Sequence, residues 1–180
     1  MRITGGRLKG RTLKVPKSDL IRPTTDRVRE SLFNYLNNIF EFETAKVCDI
    51  YAGSGSLGFE CLSRGASSID FVEKNYVIYK NLVNNIDAMG EKENCKIYKM
   101  PALKFSSMKD HAQYDFIIAD PPFFKYDIHS VVKNLLENKF IHSNGLIVVE
   151  RSIQTEEKDV DAFGKSPDKR IGDSLIYLFD

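Results

Sequence analysis

Short apolar segments, typical of buried strands, alternate along this chain with segments whose apolar residues recur at helical spacing. Residues 115–119 and 146–149 are apolar at almost every position, which is typical of strands covered on both faces. Because parallel strands must be joined by a crossover, usually a helix, the alternation predicts βαβ units and a mostly parallel sheet between two layers of helices. The sequence therefore predicts an α/β fold, in which ligands bind at the carboxyl ends of the strands.

The limits of the individual elements follow from this spacing and from the residues that begin or end helices. Strands are predicted at 46–51, 68–72, 95–99, 114–119, 145–150 and 175–179. Helices are predicted from Thr24 or Thr25 to about Phe40, from the glycine turn to about Arg64, from Asn75 to about Ala88, weakly over 102–109, and over Asp127–Asn138. The polar stretch 154–170, with its acidic run at 156–159, is expected to be a solvated connection.

Length and composition restrict the class of protein. A chain of 180 residues predicts one domain with at most a small appendage. No apolar run approaches the ~18 residues of a transmembrane helix, and the first residues lack the apolar core of a signal peptide. Three separated cysteines suggest neither a disulfide framework nor a zinc site. We therefore expect a cytoplasmic protein without a metal or a membrane partner.

Positive charge is concentrated at the N-terminus. Residues 1–30 hold nine basic and three acidic residues, a net charge of +6, whereas the whole chain carries +1. A basic arm on a mildly acidic body is typical of proteins that bind polyanions, although a merely solvated basic segment would show the same pattern. We assign residues 1–23 to an N-terminal extension, with a short hairpin at 1–15, and residues 24–180 to the main domain.

A glycine-rich turn follows the first strand and suggests a cofactor. Gly53, Gly55 and Gly58 match the dinucleotide fingerprint, and Glu73 ends the second strand, where a carboxylate would bind ribose hydroxyls. Asp49, four residues before the first glycine, would repel a pyrophosphate. S-adenosylmethionine has a cationic ammonium and sulfonium that suit Asp49, and a ribose diol that suits Glu73. This order of residues therefore favours S-adenosylmethionine over a nicotinamide dinucleotide.

The sequence Asp120-Pro121-Pro122-Phe123 directly follows the fourth predicted strand. Two prolines make the chain rigid there and leave its carbonyl groups free to accept hydrogen bonds. The Asp120 carboxylate and the Pro121 carbonyl could accept the hydrogens of an exocyclic amine, while Phe123 stacks on the flat base for ~1–3 kcal/mol. This pattern predicts an amino-methyltransferase that aligns a base amine with the methyl donor.

A base inside a helix cannot present its amine, so the enzyme must act on an unpaired or extruded nucleotide. Single-stranded loops of RNA are the less costly target. The basic arm would then hold the flanking phosphates, and binding would be sensitive to salt.

The chain resembles the bacterial small-subunit ribosomal RNA guanine-N2 methyltransferases, the RsmD-like group. The resemblance covers nearly the whole length and is carried by the N-terminal stretch Met1–Arg11, by Arg22–Phe33 with its Arg-Pro-Thr and Arg-x-Arg-Glu sequences, by Asp49–Gly58, by Ser63–Ala66, by Phe71–Glu73 and by Asp120–Phe123. It implies a Rossmann-like class I methyltransferase fold, with a seven-stranded mostly parallel sheet, helices on both faces and a small N-terminal extension.

The resemblance also implies roles for individual residues. A guanine of 16S ribosomal RNA, in an assembling small subunit, would be the substrate of a monomeric enzyme. The residues implied to bind the cofactor are Asp49, Ala52, Gly53, Ser54, Gly55, Glu73, Lys74 and Ala102. Those implied to bind the guanine are Asp120, Pro121, Pro122 and Phe123. Those implied to contact RNA or to lie beside the site are Arg7, Lys9, Arg11, Arg22, Thr24, Arg27 and Arg29.

Two positions depart from the family pattern. Family members usually have Asp-Ala after the third strand, where the acid meets the adenine amino group, and this chain has Pro101-Ala102. Near the C-terminus the usual Tyr-Gly is Ile171-Gly172. These differences bear on cofactor affinity and on the target rather than on the class of reaction.

Three other functions stay open on the sequence alone. The acceptor could be a DNA adenine or a protein glutamine amide, although those enzymes more often have Asn than Asp before the two prolines. The glycine pattern, taken literally, fits a nicotinamide-dependent oxidoreductase. A non-catalytic RNA-binding assembly factor would keep the same fold.

Overall fold

A seven-stranded sheet is the frame of the computed structural model, which describes residues 1–15, 25–122 and 125–180. The strands within these ranges lie in the order β3-β2-β1-β4-β5-β7-β6. The first five are mutually parallel, and β7 runs antiparallel to both β5 and β6. The strands are β1 Lys46–Ile50, β2 Ser68–Val72, β3 Cys95–Tyr98, β4 Tyr114–Ala119, β5 Ile141–Ser152, β6 Lys169–Ile171 and β7 Ser174–Phe179. The predicted mostly parallel sheet is confirmed.

Helices follow the strands as the alternation predicted. They are α1 Asp26–Leu36, α2 Ser56–Ser63, α3 Tyr76–Met89, α4 Ala102–Ser106, α5 Asp127–Glu137 and α6 Glu156–Phe163, with 3-10 turns at Lys92–Asn94 and Ile153–Thr155. None of the helices in the described ranges is long and apolar enough to cross a membrane.

Side chains at the helix starts explain two of these limits. The Thr25 hydroxyl accepts a hydrogen bond from the Val28 amide at 3.3 Å, which caps α1. The Asn75 side chain accepts from the amides of Val77 and Ile78 and caps α3. Gly90 ends α3 in the left-handed region, which favours glycine.

Apolar side chains cover the sheet on both faces. On one face, Phe33 of α1 and Leu82 of α3 belong to a buried cluster with Phe71 of β2. On the other face, Leu135 of α5 packs in a second cluster with Val149 of β5. The two layers of helices bury the parallel strands from both sides, and this confirms the Rossmann-like α/β class.

The segment after β5 differs from the prediction. Residues 154–170 are not one solvated connection, because they contain α6 and the start of β6. The acidic run turns Asp159 inward, where it is fully buried and accepts hydrogen bonds from Arg151 at 2.8 Å and from Thr155 at 2.6 Å. The prediction for α1 was also too long: the helix ends at Leu36, and a turn precedes Phe40.

The N-terminal residues pack against the sheet domain. Arg2 and Thr12 form an antiparallel bridge, so the predicted hairpin is present in its shortest form. Ile3, Leu8 and Leu13 are buried in the same cluster as α1 to α3. The predicted roles of Arg22 and Thr24 concern positions outside the described residues.

Candidate functional site

A cavity of about 940 Å³ opens at the carboxyl ends of the parallel strands. Its volume lies at the upper end of the range of small-molecule sites, which is enough for a nucleoside cofactor beside a second flat ligand. Ten residues that the sequence singled out line this cavity: Asp49, Ala52, Gly53, Ser54, Glu73, Lys74, Ala102, Asp120, Pro121 and Pro122. Both motifs therefore lie at one site, as expected for residues at the carboxyl ends of parallel strands. Phe123 lies outside the described residues.

The turn between β1 and α2 depends on two glycines for different reasons. Gly55 begins α2 with φ at 84°, a left-handed conformation that favours glycine. A Cβ at Gly58 would lie 2.4 Å from the Phe71 ring, so a side chain there would displace the helix from β2. Gly55 does not line the cavity itself, and its role is to shape the turn.

Asp49 lies in β1 and is buried beneath this turn. Its Oδ2 accepts a hydrogen bond from the Gly58 amide at 2.8 Å. Burial, with a smaller contribution from the charge of Glu73, raises the pKa of the Asp49 carboxyl to about 8. A buried acid of this kind favours a cationic ligand, because the ligand's charge would repay the cost of ionising it.

Glu73 follows β2 and bridges two backbone segments at the edge of the cavity. Its Oε2 accepts from the Gly53 amide at 3.2 Å and its Oε1 from the Asn75 amide at 2.7 Å. Each carboxylate oxygen can accept more than one hydrogen bond, so both oxygens can still receive a hydroxyl. This fixed carboxylate suits a ribose diol, and with Asp49 it fits a nucleoside that carries a cationic amino-acid end.

Asp120 directly follows β4, next to the acidic end of β5. Ala119 pairs with Val149 in the parallel ladder, which brings Asp120 beside Glu150. Burial and the charges of Glu150 and Asp49 raise the pKa of the Asp120 carboxyl well above its usual range, while Arg151 acts in the opposite direction. The cavity therefore holds several close carboxyl groups, and a ligand with hydrogen-bond donors and positive charge would favour their ionised forms.

Several lining residues were not found from the sequence. Glu150, Arg151 and Ser152 come from the end of β5, and Ser174 from the start of β7. Arg151 is held by Asp159 of α6, a residue whose burial no local pattern indicates. Glu150 could have been found, because it directly follows the apolar strand segment 146–149 in the way that Asp120 follows β4.

Position 101 confirms that the family's acid is missing after β3. Pro101 and Ala102 both line the cavity, and Pro101 precedes the first turn of α4. Neither side chain can accept a hydrogen bond. A base amino group at this end of the cavity would need a backbone carbonyl as its acceptor.

The arginines of the N-terminal region have different surroundings. Arg7 is paired with Glu91, and Arg11 donates to the Met89 carbonyl at 2.8 Å, while Lys9 and Arg27 are exposed. None of these four residues lines the cavity.

Arg29 differs from the expectation for an RNA contact. Its side chain is fully buried, with Nε at 3.1 Å from Glu60 and Nη2 at 2.8 Å from Asp26. The buried ion pair joins α1 to α2. In this conformation the Arg29 side chain is enclosed between the two helices, so its contact with RNA or cofactor stays a prediction.

Comparison with known proteins places the chain among relatives of similar length. The family model described as conserved hypothetical protein 95 matches residues 1–180. Ribosomal RNA small subunit methyltransferase D of Escherichia coli K12 is 32% identical over 177 residues, which are 98% of this chain and 87% of that protein. The Haemophilus influenzae protein of the same name is 35% identical over 152 residues, 83% of this chain and 78% of that protein.

A solved structure agrees with the fold along the whole chain. The Escherichia coli protein yhhF superposes with a TM-score of 0.81 and 31% sequence identity, covering 99% of this chain and 96% of that one.

Proposed function

Because the chain belongs to the family described as conserved hypothetical protein 95, in common with the small-subunit ribosomal RNA methyltransferases D, we propose that it methylates the N2 amine of a guanine in 16S ribosomal RNA. The protein is a methyltransferase and its methyl donor is S-adenosylmethionine. The observation that carries the choice of an amine acceptor is the row of carboxyl groups, Asp49, Asp120 and Glu150, in one cavity. The substrate would be an assembling small subunit in the cytoplasm, and the enzyme would act as a monomer.

Different residues of the cavity would bind the two ligands, S-adenosylmethionine and the guanine. Asp49 and Glu73 would hold the ammonium and the ribose of S-adenosylmethionine, which supplies an electrophilic methyl group on a sulfonium when it is bound. Asp120 and the Pro121 carbonyl would accept the two amine hydrogens and hold the nitrogen in line with that methyl group. Such alignment can lower a barrier by ~7–11 kcal/mol.

Negative charge in the cavity favours the transfer itself. The acceptor nitrogen becomes cationic as it gains the methyl group and loses its proton afterwards, so no strong general base is needed. Asp120 and Glu150 lie where that positive charge would develop, and fixed charges in a partly dry site stabilise it more than water does. The cationic Arg151, held by Asp159, limits the mutual repulsion of these carboxyl groups.

The test of the function is transfer of a labelled methyl group to defined acceptors. Small subunits from cells that lack this protein would be compared with mature subunits, free 16S ribosomal RNA, DNA and protein. We expect label in the unmodified particles and N2-methylguanosine after digestion to nucleosides. Label confined to DNA or to protein would overturn the proposal, as would tight NADH binding without a response to S-adenosylmethionine.

Cofactor binding should release a proton, because Asp49 is protonated when no cation is near. With a pKa of about 8, it should release roughly one proton per ligand at pH 6.5, and affinity should rise as the pH approaches 8. Calorimetry with S-adenosylhomocysteine, in buffers of different ionisation enthalpy, measures this release. An enthalpy that is independent of the buffer would contradict it.

The matched control is Asp49→Asn, which keeps an acceptor for the Gly58 amide. This variant should release no proton and bind at least ~10-fold more weakly. Its thermal stability should not fall. A carboxyl whose pKa is higher in the folded than in the unfolded chain lowers the free energy of unfolding increasingly as the pH rises from about 4 to about 8, and asparagine removes that cost.

Neutralising the basic arm should weaken RNA binding and flatten its dependence on salt. Each lost phosphate contact should reduce the slope of log K against log salt by ~0.7–0.9. The triple change Arg7→Gln, Lys9→Gln and Arg11→Gln therefore should reduce the slope by at most about 2–3. Filter binding to 16S RNA at several salt concentrations gives the slope.

Arg7 and Arg11 also make contacts within the protein, so the effect of their charge on RNA binding must be separated from the effect of losing those contacts. The exposed lysines 104, 133 and 158 provide a control triple of equal charge on other elements. Glu91→Gln breaks the Arg7 pair and keeps the cation. Equal slopes for the arm variant and the control triple would remove the arm from the RNA interface.

A further inference from the structure

Glu150 is a buried acid with one oxygen unsatisfied. It lies in β5, is 5% exposed and lines the cavity. Its Oε1 accepts a hydrogen bond from the Ser174 hydroxyl at 2.6 Å. Its Oε2 is buried and has no hydrogen-bond partner within the described residues. Since nearly all buried polar atoms are paired in folded proteins, an unpaired acceptor on a residue that lines a cavity points to a ligand with a donor.

The sheet fixes the direction of this acid. Ser174 of β7 holds one oxygen, and β5 is paired on both sides, with β4 and with β7. Ala119 and Val149 are partners in the β4–β5 ladder, so Asp120 and Glu150 are the next pair and project from the same face. Two carboxyl groups on adjacent strands therefore converge on one ligand.

Three nucleobases carry an exocyclic amine, and their ring nitrogens tell them apart. Guanine has a ring N1–H next to its N2 amine, which gives two neighbouring donors. Adenine N1 and cytosine N3 are acceptors at the corresponding places. Burial raises the pKa of the Glu150 carboxyl, whereas the Ser174 hydrogen bond and the charge of Arg29 favour its ionised form. In that form, a second carboxylate beside Asp120 would pair with guanine and face a lone pair in the other two bases.

We propose that Glu150 is the residue that selects guanine, with its open oxygen accepting the N1–H of the base while Asp120 accepts the N2 hydrogens. The inference rests on the function proposed above and adds a specificity residue to it. Ser174 acts as a positioning residue, because its hydroxyl holds Oε1 and leaves Oε2 as the oxygen without a partner among the described residues. Sites built to pair a buried polar group discriminate strongly against ligands that leave the group unpaired.

The experiment changes both partners of this contact. Glu150→Gln keeps the size of the side chain and an oxygen for Ser174, and it offers an amide donor in place of the open acceptor. The RNA carries guanosine or 2-aminopurine nucleoside at the mapped target position. 2-Aminopurine keeps the amine at C2 and has an acceptor at N1 instead of a donor.

We expect the wild type to prefer the guanosine RNA by at least ~100-fold in kcat/KM. Glu150→Gln should lose at least ~10-fold on guanosine and should methylate the 2-aminopurine RNA better than the wild type does. Its affinity for S-adenosylhomocysteine should stay within about threefold of that of the wild type. Loss of a cofactor contact would instead weaken binding about tenfold for each 1.4 kcal/mol. Glu157→Gln, an exposed acid of α6, is the matched control and should change nothing.

The outcomes separate the two proposals. Absence of N2-methylguanosine from the wild-type reaction would overturn the proposed function and this inference with it. N2-methylation with equal wild-type rates on the two RNAs, a comparison that needs no variant, would overturn the role of Glu150 alone. So would a Glu150→Gln protein whose kcat/KM on guanosine matches the wild type.

Discussion

Replacing Asp120 with alanine is expected to reduce methyl transfer by about 10²–10³-fold, the usual cost of removing one preorganised group at the reacting centre. The side chain lies at the end of β4 in the cavity, at the position where the amine must be held. In the proposed mechanism, its loss removes an acceptor for the amine hydrogens and a carboxyl group that the nearby cation would help to ionise. Single-turnover transfer from labelled S-adenosylmethionine measures the effect.

Two further measurements show that such a loss is chemical rather than structural. Affinity for S-adenosylhomocysteine should be nearly unchanged, because our proposal assigns the cofactor to Asp49 and Glu73. Thermal stability should not fall, since burial and the neighbouring acids raise the pKa of Asp120 and make its ionised form costly in the folded protein. The exposed Asp161→Asn is a control for the change of charge.

Asp120→Asn separates the two contributions of the carboxylate. It keeps one acceptor oxygen and removes the charge, so we expect a smaller loss than with alanine. Cells that carry Asp120→Ala in place of the natural protein should lack the modified nucleotide. These cells would be compared with cells that lack the protein. If ribosome assembly were normal with Asp120→Ala and defective without the protein, a non-catalytic assembly role would be the better account.

The sequence predicted those parts of the site that depend on local order. Asp49, Glu73 and Asp120 each lie at or near the end of a parallel strand, and the carboxyl ends of such strands meet at one edge. Glu150 follows the same rule, yet it lacks a family motif and was overlooked. What marks it is an oxygen with no partner in the part of the chain that the structure describes, which only three-dimensional structure reveals.

Charged residues that pair over long distances could not be assigned from the sequence. Asp159 stands in an acidic run in which Glu157 is exposed, and its burial depends on Arg151 in the preceding strand and Thr155 in the preceding turn. Arg29 stands in a basic segment, and its partner Glu60 is 31 residues away. Charge patterns describe composition, whereas burial of a charge depends on a partner brought close by the fold.

The buried pair of Arg29 and Glu60 leads to the second large expected effect. Glu60 is fully buried, and its Oε1 accepts from Arg29 Nε at 3.1 Å and from the Thr4 amide at 2.7 Å. Its Oε2 pairs with Arg64. Glu60→Ala would leave a buried guanidinium without its main partner, which costs about 3–5 kcal/mol.

For a domain of this length, that loss should lower the melting temperature by roughly 10 °C. Calorimetry or circular dichroism measures it, with the exposed Glu30→Ala on α1 as the matched control. The double change Arg29→Met with Glu60→Leu should recover part of the stability, because it removes the Arg29 charge together with its carboxylate, while Arg64 and the Thr4 amide still lose Glu60 as an acceptor. A decrease in the free energy of unfolding below about 1 kcal/mol for Glu60→Ala would show that water replaces the carboxylate and that the pair is accessible to solvent.

The same variants separate the structural and RNA-binding roles of the Arg-x-Arg-Glu sequence in α1. Arg27 is exposed and Arg29 is buried, so the two arginines should respond differently. Arg27→Gln should lower RNA affinity without a change in melting temperature. The double variant Arg29→Met with Glu60→Leu should lose RNA affinity even where its stability recovers, because it removes both hydrogen bonds that tie the arm to this pair, from the Thr4 amide to Glu60 and from Arg29 to the Arg2 carbonyl. Arg29 would then act on RNA binding only by holding the basic arm against the domain that carries the cavity.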